Sequence, residues 1–119
     1  MRKKEDNKIK FSIDIINPKS KKAKLLPPHI RKNKITGHYA IIIAEDGDAY
    51  LFLPMVTKEL SRNKNYPLNP NPNRSSTRSS YVILRLRRNK KGAFTAPLDW
   101  KLSPKDLEMI IAYAKSKIK

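Results

Sequence analysis

The chain has no cysteine, so neither a disulfide nor a thiolate zinc site can hold it together. It has only two histidines, His29 and His38, too few for a dedicated metal centre. Glycine is also scarce, with 3 residues, and no glycine-rich phosphate loop can be assembled from them. No apolar run approaches the roughly 20 residues that span a bilayer, and the basic start is not followed by the apolar segment of a signal peptide. Acidic residues are few: 10 Asp and Glu face 27 Lys and Arg, leaving +17 on 119 residues. Such an excess repels itself unless a polyanion is near, and nucleic acid is the common one. The expectation is a soluble cytoplasmic protein with no membrane association, no cofactor and no metal.

By size the chain is one domain. Residues 1–8 read as a flexible basic tail and residues 9–119 as the folded unit. Its centre is the stretch from Tyr39 to Lys58. Two apolar runs, Tyr39 to Ala44 and Ala49 to Leu53, flank an acidic turn containing Asp46-Gly47, which marks a β-hairpin. Neither arm alternates as a half-wet ribbon would, so both are expected to be covered on two faces or to form a barrel wall.

Around this hairpin the periodicity predicts further elements. Ile9, Phe11, Ile13 and Ile15 alternate as a strand that ends at Asn17-Pro18. The basic residues from Lys19 to Lys34, interrupted by Leu25-Leu26-Pro27-Pro28-His29-Ile30, read as a long loop with an extended, proline-stiffened piece. A short helical turn fits Glu59 to Arg62, and Asn63 to Ser80 is an irregular loop in which Tyr66 either pins the chain to the core or stacks on a base. Tyr81 to Arg87 forms a strand with a basic face, Asn89-Lys90-Lys91-Gly92 a turn, and Ala93 to Ala96 a return arm stopped by Pro97. Leu98, Trp100 and Leu102 point inward from an extended segment, and these alternating apolar neighbours favour Trp100 as a core anchor over a stacking platform. Ser103, Pro104 and Asp106 open a helix whose apolar stripe is Leu107, Ile110, Ile111, Ala114 and Ile118. Together these predict an α+β, mainly β domain: a small antiparallel SH3-like barrel or bent sheet of about five strands with a C-terminal helix packed on it.

The residue inventory suits one reaction. Metal-free RNA cleavage uses the ribose 2′-hydroxyl as nucleophile, so the protein need only position the backbone, move a proton and stabilise charge. Residues just before the first hairpin arm and just after the second lie at one end, so His38 should meet Thr57 and Lys58; Arg31 or Lys34 could reach in from the basic loop. Lys32, Lys34, Arg74, Arg78, Arg85, Arg87 and Arg88 are candidates to hold phosphates. The alternative from the same residues is a non-catalytic RNA- or DNA-binding accessory module.

The order Gly37-His38-Tyr39-Ala40-Ile41-Ile42-Ile43, then Tyr50-Leu51-Phe52-Leu53-Pro54-Met55-Val56-Thr57-Lys58, resembles the core of the MazF/Kid-type toxins and the ToxN-like toxins of RNA-antitoxin systems. The resemblance covers residues 31–58 and implies an SH3-like barrel with metal-independent endoribonuclease activity. It implies Thr57 as a motif hydroxyl and Lys58 near a basic position of the RNA-antitoxin branch. His38 stands where many members carry arginine, a role Arg31 could take over, and Met55-Val56-Thr57 replaces a Leu-Thr-Ser pattern. The implied partners are an RNA substrate and an antitoxin, either RNA or an acidic protein segment; a homo-oligomer and a toxin–antitoxin complex are both open.

Overall fold

The computed structural model describes residues 23–57, 65–73 and 78–118. The expected tail, the Ile9 strand and the helical turn at Glu59 to Arg62 lie outside these, as do Lys58 and Arg74. The elements are β1 (Ala23–Lys32), β2 (Tyr39–Asp46), β3 (Ala49–Val56), β4 (Asn65–Leu68), β5 (Ser80–Ile83), β6 (Arg87–Lys90), a 3-10 turn (Lys91–Ala93) and α1 (Pro104–Lys117). The sheet runs β1-β2-β3-β5-β4, with β6 also paired to β3. All pairings are antiparallel. The mainly β architecture with one terminal helix is as the periodicity predicts, but among the described residues the six-stranded sheet is open and does not close into a barrel.

The central hairpin closes at Asp46↔Ala49, with Gly47 at φ +62°, a conformation glycine adopts without Cβ strain. The register shifts by one residue between Ile42 and Ala44, so β2 carries a bulge at Ile43 that bends the sheet. On the far edge of β3, Ala49 to Phe52 pair with β6, whereas Met55 and Val56 pair with β5. The interruption falls at Pro54, which has no N–H to donate. The strand expected over Tyr81 to Arg87 is therefore two strands, broken at Leu84 to Leu86 where Arg85 N–H donates to Ile83 O at 2.8 Å.

Two further expectations are corrected. The stretch read as a long basic loop is mostly β1, an edge strand against β2, with Arg31↔Ala40 and Lys32↔Tyr39 in register. Its prolines sit where the pairing slips between Leu25 and His29, a place where a sheet accepts them. The segment Ala93 to Ala96 does not fold back on β6. It crosses the sheet and runs along the outer edge of β1, bridging Asn33↔Phe94 and Ile30↔Leu98. Lys34 N–H donates to Ala93 O at 2.7 Å and Thr95 N–H to Lys32 O at 2.9 Å. The segment thereby covers an edge that would otherwise be open to pairing with another chain.

Both faces of the hairpin are buried, as its unbroken apolar runs predict. On one face Ile41, Ile43, Leu51, Leu53, Met55 and Val82 pack against Ile110, Ala114 and Ile118 of α1. Leu98, Trp100 and Leu102 border this core, as does Tyr66, which lies in β4 rather than in the irregular loop expected there and ties that strand to the core. On the other face Ala40, Ile42 and Phe52 meet Ala93 and Phe94. The Phe94 ring stands edge-on to Phe52 at 5.2 Å and to Tyr50 at 5.6 Å. Lys91 donates to Glu45 at 2.7 Å, holding the Glu45 carboxyl below its usual range and raising the Lys91 ammonium above its own.

Helix α1 starts as predicted: Ser103 Oγ accepts from Asp106 N–H at 3.1 Å and Pro104 takes the first helical position. Asp106 does more than meet the dipole. Its carboxylate is buried and accepts Asn69 N–H at 2.9 Å, tying the loop after β4 to the helix. No described helix is long and apolar enough to cross a membrane. Farther along, burial pushes the Tyr113 phenol above its ordinary value, partly opposed by a backbone hydrogen bond from Leu86. With the folded value raised, the contribution is complete below 10.0 and is lost as pH climbs through that raised value. The melting temperature should therefore fall as pH rises above about 10, and Tyr113→Phe should make that fall shallower.

Candidate functional site

Where the free end of the β2–β3 pairing meets the turn from β1 there is a cleft of about 360 Å³. It is lined by Gly37, His38, Tyr39, Met55, Val56, Thr57, Asn73, Ser80 and Trp100. The register at Ala40↔Pro54, carried two residues on, sets His38 across from Val56 and one residue from Thr57. His38 and Thr57 therefore stand on one wall system, as hairpin geometry predicts.

The position of His38 is built by the turn that precedes it. Asn33 is buried, and its Oδ1 accepts Ile35 N–H at 2.9 Å and Thr36 N–H at 3.3 Å. Asn33 N–H donates to His38 O at 2.8 Å, and Gly37, at φ +78°, donates its N–H to Asn33 O at 2.8 Å. His38 N–H in turn donates to Thr36 Oγ1 at 3.2 Å. One amide side chain thus organises the loop that presents the imidazole. Asn33→Ala, which strands two turn N–H groups, is expected to cost about 1–3 kcal/mol in chemical denaturation. It should also slow any reaction that depends on His38, whereas Asn33→Asp, which keeps an acceptor, should lose less on both counts.

A second lobe of about 210 Å³ shares His38, Tyr39, Met55 and Val56 with the first and adds Asn33, Phe52, Pro54 and Arg87. Arg87, opposite Phe52 in β6, is the predicted phosphate-binding residue that lines this lobe. A third cavity, of about 480 Å³, shares Asn73 and Trp100 with the first and adds Pro70, Asn71, Pro72, Asp99 and Lys101. The rim is basic where Lys32 lies 5.7 Å over the Tyr39 ring, whose centre is 4.5 Å from that of Trp100.

Other predicted site residues lie elsewhere. Arg31 does not enter the cleft: its guanidinium sits 4.7 Å over Tyr50, donating to His29 Nε2 at 2.9 Å and to Thr95 O at 3.0 Å. It shares a face with Ala40, its partner in β2, which directs it to the smaller core rather than toward Thr57. Arg88 is 3.7 Å from Asp46 at the hairpin turn. Lys34, Arg78 and Arg85 are exposed, on the turn after β1, the loop before β5 and the β5–β6 break. Asn33, Tyr39, Asn73, Ser80, Trp100 and Lys101 were not expected at the site. Only Tyr39 and Ser80, adjoining predicted strand ends, carried a local hint of it. Among the described residues no three His, Asp or Glu side chains gather as a metal-ligand set. No family model, curated protein or solved structure matches this chain.

Proposed function

We propose that the chain is a toxin-like endoribonuclease that binds RNA along this cleft and cuts it by attack of the ribose 2′-hydroxyl. The observation that carries the reading is the shared cleft of His38 and Thr57 on a chain of net charge +17. In such a site the imidazole takes the 2′-hydroxyl proton, and the 2′-oxygen bonds to phosphorus as the 5′-oxygen leaves and takes a proton from solvent water. The Thr57 hydroxyl donates to a non-bridging oxygen of the phosphorane, and Arg87 offsets its charge. The products are a 2′,3′-cyclic phosphate and a 5′-hydroxyl. Lys58, which follows Thr57 directly, keeps its proposed role as a second cation.

One observation favours the rival reading, a non-catalytic nucleic-acid-binding module. Arg31, offered as the replacement for the arginine usual in the resembled toxins, is engaged with Tyr50, His29 and Thr95 instead. Expression separates the two readings. Made alone in a bacterial host, the nuclease should arrest growth, and Thr57→Ala should relieve the arrest. Unimpeded growth, with RNA affinity that falls steeply as salt rises, would assign the protein to the module class.

A further inference from the structure

The indole of Trp100 is a wall common to two cavities. It lines the cleft that holds His38 and Thr57, and it lines the neighbouring cavity with Pro70, Asn71, Pro72, Asn73, Asp99 and Lys101. One side of the residue packs on the main core and its ring lies beside Tyr39, so the indole is held in place. The opposing rim is held as well. Asp106 accepts the Asn69 N–H, Asn71 Oδ1 accepts Asn73 N–H at 2.9 Å, and Asn71 Nδ2 donates to Arg78 O at 2.6 Å. Trp100, Pro70 and Pro72 give this slot apolar patches within a lining that is otherwise polar. Its polar residues include a carboxylate, Asp99, able to accept from a base amino group, and an ammonium, Lys101, able to meet a phosphate.

We propose that Trp100 is a base-stacking residue: this slot seats an unpaired nucleobase of single-stranded RNA beside the phosphodiester held at His38 and Thr57. The assignment rests on the RNA reading of the cleft and narrows it to one substrate class. Net charge of +17 supplies the attraction for a polyanion, Lys101 lines the second cavity, and Lys32 lies over Tyr39, which lines the first. The indole face adds what a phosphate track lacks, a surface that takes the face of a base without regard to its sequence. Duplex RNA cannot use it, because its bases are already stacked on one another.

Trp100 is the one tryptophan of the chain, so its emission reports on the slot directly. The wild-type protein is titrated with a single-stranded RNA oligonucleotide, an abasic oligonucleotide of equal length and charge, and an RNA duplex. Binding is followed separately by anisotropy of an end label. The single strand should bind and quench the emission, the abasic strand should bind more weakly without quenching, and the duplex should not quench. Trp100→Ala should weaken single-strand affinity by about 5- to 140-fold, and Trp100→Phe, which keeps an aromatic face, by much less. Because the emission is read on the unaltered protein, the test does not depend on either variant folding. Binding of the single strand with unchanged emission, or abasic and natural strands bound equally, would overturn the stacking role and leave the RNA reading standing. No anisotropy change with any of the three would overturn both.

Discussion

His38→Ala is expected to lower the rate of RNA cleavage by about 10²- to 10⁴-fold, the usual worth of a positioned general acid or base. RNA affinity should hardly move. His38 is exposed on its turn, and the hydrogen bonds that shape this turn use its backbone rather than its imidazole. The fold should therefore survive the change, and the loss should fall on the chemical step. Single-turnover rates at saturating protein, with affinity measured alongside, separate the two. A rate for His38→Ala equal to that of the wild type would remove the imidazole from the mechanism.

The second large effect concerns the smaller core. Phe94→Ala should cost about 3–5 kcal/mol, against a total stability of about 5–15 kcal/mol for a domain of this kind. Phe94 is 6% exposed and stands edge-on to both Phe52 and Tyr50. Removing its ring opens a cavity beneath the segment that covers the edge of β1. The consequences should spread, because that segment accepts Lys34 N–H at Ala93 O and Arg31 at Thr95 O. Urea unfolding should show a lower midpoint with an unchanged slope. Phe94→Leu should recover much of the loss. A change of less than about 1 kcal/mol for Phe94→Ala would mean that this face is a surface patch rather than a core.

What could be read from the residues alone was what local pattern controls. The unbroken apolar runs of β2 and β3 announced burial on two faces, and Ser103, Pro104 and the Ile110–Ala114–Ile118 spacing announced α1. The failures share one cause, the choice of a distant partner. Pro27-Pro28 looks like loop because proline cannot donate, yet a slipped edge strand does not ask it to. Ala93 to Ala96 was paired with its sequence neighbour when a more distant edge, that of β1, was the one it meets. At the site, the meeting of His38 with Thr57 followed from hairpin register alone. Arg31 was misplaced because its face of the sheet depends on the register of β1, which the loop reading had removed. Asn33, Asn73 and Lys101 come to the site through turns and crossings that carry no periodic signal.

The most direct measurement is to incubate the purified protein with an end-labelled single-stranded RNA in excess EDTA and to determine the chemistry of the new ends. We predict fragments bearing 2′,3′-cyclic phosphate and 5′-hydroxyl termini, produced by the wild type and far more slowly by His38→Ala. RNA that stays intact while bound to the protein, or cuts left undiminished in the variant, would contradict the account.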